Sequence, residues 1–70
     1  MKMTVNGELK RIDCYSSSIS LKEIIETLGY QPQLIVIELN GIIISSNNRN
    51  EVQITDGDCL EIVTIVGGGS

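Results

Sequence analysis

The chain contains no histidine, tryptophan, phenylalanine or alanine. Without histidine it lacks the commonest metal ligand and the side chain that most easily exchanges protons near neutral pH, so self-contained acid–base or zinc chemistry is not expected. Basic residues are scarce as well: five Lys and Arg stand against nine Asp and Glu, for a net charge of -4 and a pI near 4.4. Such a field repels phosphate backbones and anionic lipid surfaces, which argues against nucleic acid and membrane as partners. No apolar run approaches the roughly 20 residues of a spanning helix. The opening residues, Met1-Lys2-Met3-Thr4-Val5, have no signal-peptide core, and a cytoplasmic location is expected. The two cysteines, Cys14 and Cys59, are too few and too far apart for a CxxC metal or redox motif. Both fall in β-like segments and are expected to be reduced, small and mostly buried.

What is present is short and aliphatic. Seventy residues supply one small core and leave no room for a second domain. Twelve Ile, six Leu and five Val dominate the apolar content, a β-branched mix that suits pleated, half-buried surfaces better than helices. More strand than helix is expected.

Along the chain, Met1, Met3 and Val5 alternate with Lys2 and Thr4, the period of a strand with one buried face. Asn6-Gly7 follows, the pair that best fits a two-residue type I′ hairpin loop, where both positions need positive φ. A second strand is predicted over about 8–14, with Ile12 and Cys14 inward and Leu9 either a bulge or an outward apolar contact. Ser20-Leu21-Lys22-Glu23 then reads as a capping box. Leu21, Ile24, Ile25 and Leu28 form one stripe at helical spacing, Lys22, Glu23 and Glu26 face water, and Gly29 and Pro32 end the helix after about nine residues. Tyr15 and Tyr30, at the helix edges, are predicted to be partly buried with the hydroxyl in water.

The run 34–39 reads as a covered strand, Asn40-Gly41 repeats the hairpin signal, and Ile42-Ile43-Ile44 returns. The polar stretch 45–50 is a loop, with a short strand or helical turn over 51–54. Asp56-Gly57-Asp58 is a turn, far too short for a calcium loop. The last strand, 59–66, places Leu60, Ile62 and Thr64 on one face and Glu61, Val63 and Ile65 on the other. This order predicts an α+β domain over 1–66: a mixed sheet of four or five strands packed on one main helix. One helix covers only one face, so aliphatic surface beside the chain end stays exposed, a common mark of a partner site. Val63 and Ile65 are the leading docking candidates.

Residues 67–70, Gly67-Gly68-Gly69-Ser70, form a tail with almost nothing to pack, expected to be flexible and thin enough to enter a narrow cleft. The same residues are typical of linkers and frayed ends.

The two Asn-Gly hairpins, the capped helix, Asp56-Gly57-Asp58 and the strand running into Gly67-Gly68-Gly69 together resemble the ThiS family of sulfur carriers in thiamine biosynthesis, within the wider ThiS/MoaD group. The resemblance implies a ubiquitin-like β-grasp fold and a carrier that is not itself an enzyme and binds no cofactor or metal. It further implies that the C-terminal carboxylate is adenylated with ATP by a ThiF-type adenylyltransferase. A sulfur donor system then converts it to a thiocarboxylate, which supplies sulfur to a ThiG-type thiazole synthase. By this resemblance Gly69 carries the thiocarboxylate, Gly68 completes the diglycine and Gly67 is a spacer. The chemistry is sound: a terminal carboxylate with an ordinary pKa near 3.5 is ionised at neutral pH and a poor electrophile, so it must be activated by a partner.

Ser70 departs from the family pattern by following the reactive glycine. It is either removed before activation, or an appended residue, or a sign that the chain is not competent as a carrier. Two alternatives stay open at this level: a MoaD-type small subunit of molybdopterin synthase, with the same tail chemistry, and a noncovalent β-grasp interaction module.

Overall fold

A computed structural model describes residues 1–65. The strands are β1 (Lys2–Val5), β2 (Glu8–Arg11), β3 (Ser18–Ser20), β4 (Ile35–Leu39), β5 (Ile42–Ile44), β6 (Gln53–Thr55) and β7 (Cys59–Thr64), with one α-helix, α1 (Leu21–Leu28). Five strands form a mixed sheet in the order β2-β1-β7-β4-β5, in which β1 and β7 run parallel and the other neighbours antiparallel. The expected α+β architecture of one helix on a mixed sheet is therefore present. A two-stranded ribbon of β3 and β6 lies apart from that sheet; β6 takes the short-strand option predicted for 51–54, shifted to Gln53–Thr55, whereas β3 has no signal in the sequence.

Both Asn-Gly pairs form the predicted turns, with Asn6 and Asn40 at φ 53° and 51° and the following glycines at 84° and 87°. Helix α1 starts at Ser20, whose hydroxyl accepts from the Glu23 N–H at 3.2 Å. The Glu23 carboxylate meets the Ser20 hydroxyl at 3.5 Å, so the box is built around the side chain of Ser20. Ser20 is also the last residue of β3, registered opposite Gln53. Gly29 ends the helix at φ 84° and its N–H bonds back to the Glu26 carbonyl.

The helical stripe Leu21, Ile24 and Ile25 is fully buried and Leu28 half-buried, against Met3, Val5, Ile35, Ile37, Leu60 and Ile62 of the inner sheet face. Ile12 and Ile54 complete the core. At about 1.5–3 kcal/mol for each fully buried aliphatic side chain, this one layer carries most of the driving force for folding.

Two strands are shorter than predicted, each because its partner runs out. β2 ends at Arg11 rather than at residue 14, since Arg11 faces Lys2, the first residue of β1. One further rung joins Ile12 to Met1: the Ile12 N–H donates to the Met1 carbonyl and the Met1 ammonium to the Ile12 carbonyl. β7 ends at Thr64, opposite Ile35 at the start of β4, and the Ile65 N–H donates to the Leu34 carbonyl of the 3-10 turn Pro32–Leu34. Leu9 takes the outward option, in regular register opposite Thr4 and without a bulge.

Two burial expectations are corrected. Tyr15 is fully exposed, because the chain leaves the sheet at Arg11 and nothing walls the ring, whereas Tyr30 is half-buried against the core as expected. Cys59 is exposed, because it shares the parity of Glu61 and Val63 and points away from the core; Cys14 is half-buried, and its thiol donates to the Ser16 carbonyl. Both thiols are free.

Candidate docking face

β7 is the strand that leads towards the glycines, and it lies in the middle of the sheet between β1 and β4. Both turn asparagines reach across to hold it. The Asn6 side-chain oxygen accepts from the Ile62 N–H at 2.7 Å and its Nδ2 donates to the Ile62 carbonyl at 3.1 Å. From the other side, the Asn40 oxygen accepts from the Cys59 N–H at 3.0 Å while its own backbone N–H donates to the Cys59 carbonyl. Each asparagine thus extends the backbone ladder of β7 where a neighbouring strand turns away.

The alternation along β7 is as predicted: Leu60 and Ile62 enter the core, while Glu61 and Val63 face outward, with Ile65 exposed just past the strand. Val63 and Ile65 are 62% and 50% exposed. Val36 lies directly opposite Val63, and Ile43 opposite Glu38, so the outer face of the sheet presents an aliphatic surface that no helix covers. Glu38 and Glu61 face one another within it. Cys59 and Thr4, paired in register, bring the thiol and hydroxyl to 2.8 Å at its margin.

Arg49 sits elsewhere, in the polar stretch 45–50 that the sequence predicts as a loop. It is only 7% exposed, and its guanidinium donates to the carbonyls of Pro32 at 2.7 Å and Ile35 at 2.9 Å. Its place in the run Ser45-Ser46-Asn47-Asn48-Arg49-Asn50 gave no signal of burial. It fastens the loop after β5 to the start of β4 and so supports the sheet indirectly. An open cleft of about 890 Å3 beside the loop 13–18 and helix α1 carries serine hydroxyls, Asp13 and Glu23. In a chain without histidine these form no nucleophile–base pair of the Ser-His or Cys-His kind. Among the described residues no group of three or more acidic or cysteine side chains is placed to hold a metal, and no helix is long and apolar enough to cross a membrane. The tail residues Gly67, Gly68 and Gly69 lie outside the described residues.

The family model that matches the chain is the ThiS family, over residues 3–69. The chain belongs to the ThiS family. Its ubiquitin-like β-grasp fold matches the crystal structure of the thiamine biosynthesis protein ThiS from Geobacter metallireducens, with a TM-score of 0.84 and 30% identity over 99% of this chain and 100% of that one. A thiazole synthase of Paramagnetospirillum magneticum is 34% identical over 70 residues, all of this chain and 21% of that protein. The ThiS-family chain therefore spans about a fifth of that relative's length. An uncharacterized protein, ycf40, of Pyropia yezoensis is 33% identical over 69 residues and is covered over 93% of its length.

Proposed function

We propose that the chain is a sulfur carrier of thiamine biosynthesis and not an enzyme in its own right. Gly69 is the acceptor: once its carboxylate is the chain end, a ThiF-type adenylyltransferase joins it to the α-phosphate of ATP with release of pyrophosphate. A sulfur nucleophile at the sulfide level, delivered by a donor system, then displaces AMP and leaves a thiocarboxylate. The carrier passes that sulfur to a thiazole synthase. The observation that carries this reading is the extent of the family match, which runs through Gly67 and Gly68 to Gly69. The geometry of β7 supports it, because a strand held on both sides by Asn6 and Asn40 gives the chain end a fixed origin beside an uncovered apolar face.

The thiazole synthase as recipient draws support from the relatives in Paramagnetospirillum magneticum and Magnetococcus marinus, in which a segment like this chain is part of a thiazole synthase polypeptide. Tethering two proteins raises their effective concentration and favours their encounter. Of the carrier branches left open by the sequence, the family match and the solved ThiS structure favour thiamine over molybdopterin.

The test is direct. A chain ending at Gly69, incubated with ATP, a ThiF-type adenylyltransferase and a sulfur donor, gains the mass of one oxygen-to-sulfur replacement, and fragmentation assigns it to the terminal residue. An unchanged mass under conditions that convert an authentic carrier refutes the proposal.

A further inference from the structure

The uncovered sheet face carries two carboxylates where cross-strand register alone disfavours them. Glu38 of β4 and Glu61 of β7 are direct antiparallel partners, and like charges so placed destabilise a sheet. Among the described residues neither glutamate forms an ion pair: the one salt bridge joins Lys10 to Glu8, and the Arg49 guanidinium is engaged by the Pro32 and Ile35 carbonyls. Apolar side chains flank the pair along β4 and β7 and on β5. Val36 and Val63 form the next outward-facing row, Ile43 flanks Glu38 on β5, and Cys59 precedes Glu61 by two residues on the same face. Ile43 is 69% exposed, whereas Glu38 beside it is half-buried.

We infer that this face docks the thiazole synthase through an arginine of that partner, whose guanidinium enters between Glu38 and Glu61 while apolar neighbours rest on Val36, Ile43 and Val63. The inference rests on the carrier reading above and specifies the chemistry by which its partner is recognised. Charge complementarity selects a cation, and the two-carboxylate geometry selects arginine over lysine. A planar guanidinium offers five N–H donors and can engage both carboxylates, whereas an ammonium is a compact, strongly hydrated point charge. The guanidinium is also weakly hydrated, which suits an aliphatic rim. Two carboxylates in register attract an enclosed cation jointly, and excluding water strengthens that attraction. The same surface runs through Val63 to Ile65, so a partner seated there lies beside the strand that leads to Gly69.

Calorimetric titration of the full chain against separately purified thiazole synthase tests this, with the melting temperature of every free variant measured alongside. The paired substitution Glu38→Gln with Glu61→Gln is expected to weaken binding about tenfold or more and to remove most of its salt dependence. It should also melt at or above the wild-type temperature, because the repulsion is gone. Glu26→Gln, which removes one charge from the opposite side on α1, should bind like the wild type. Absence of wild-type binding overturns the inference. So does wild-type affinity in the paired variant, a sharp fall in its melting temperature, or an equal loss in Glu26→Gln. The thiocarboxylate assay keeps the two readings apart. A chain that gains sulfur but binds irrespective of Glu38 and Glu61 refutes only the docking chemistry, whereas a chain that never gains sulfur refutes the carrier reading itself.

Discussion

The side chain of Asn6 and the backbone of Ile62 exchange two hydrogen bonds, 56 residues apart in sequence. Asn6 occupies the left-handed turn between β1 and β2, so the residue that lets the chain reverse also pairs with the strand leading to the glycines. Asn6→Gly separates these roles, because glycine keeps the turn conformation and loses the side chain. The variant should lose about 1–3 kcal/mol by urea denaturation, the cost of leaving the partly buried Ile62 amide and carbonyl without these partners. Hydrogen exchange should quicken at the Ile62 N–H ahead of the helix amides; uniform acceleration would mean that the bond supports the whole fold and not β7 in particular.

Arg49 supports a different joint. Its guanidinium bonds two carbonyls at the entry to β4, and its Nε has no partner there. Arg49→Ala leaves both carbonyls unpaired and opens a cavity, and should cost about 2–4 kcal/mol. Arg49→Met fills most of the volume and removes a buried cation that forms no ion pair among the described residues, so it should cost clearly less. Equal losses in both variants, compared by chemical denaturation, would show that the hydrogen bonds and not the packing carry the contribution.

These two residues mark where the sequence could and could not be read. Turns, helix cap and core stripe follow from local rules, and Asn6, Ser20, Leu21, Ile24 and Gly29 all lie where spacing put them. The predicted end of β2 at residue 14 overshoots and β7 stops at Thr64, because an end depends on where a distant partner stops, as Arg11 stops at Lys2; Val66, the predicted end of β7, lies outside the described residues. Of the β3–β6 ribbon only β6 has a local signal, the short-strand option near 51–54; Ile19 of β3 reads as one apolar residue among serines until Ile54 is placed opposite it. Arg49 carried no signal because its acceptors are carbonyls, which every residue possesses. The exposed face was legible from the alternation in β7, and that alternation also placed Cys59 outward, against its apolar reputation.

Cys59 therefore provides a chemical report on the sheet face. It is exposed, whereas Cys14 is half-buried, so a maleimide under limiting conditions should label Cys59 first, located by peptide mass mapping. A partner seated on Val36 and Val63 should slow that labelling and leave Cys14 unchanged. Equal protection of both thiols would place the partner elsewhere or reveal a general change in the fold.

Neighbouring residues of β7 allow the strongest separation of folding from docking. Ile62 is 5% exposed inside the core and Val63 is 62% exposed on the outer face. Ile62→Ala should cost about 2–5 kcal/mol, a large share of the roughly 4–10 kcal/mol that a domain of this length possesses. Its binding should be normal once the folded fraction is taken into account. Val63→Asp should lower the melting temperature less than Ile62→Ala does, because the side chain already faces water and the loss is confined to weaker strand propensity and added like-charge repulsion; it places a third carboxylate beside Glu38 and Glu61 and removes part of the apolar rim. Thiocarboxylate formation and thiazole synthase binding should both be measured on it. Loss of synthase binding with activation intact assigns this face to the recipient, whereas loss of activation as well means that the adenylyltransferase uses the same surface. Wild-type behaviour in both assays would remove Val63 from the docking face.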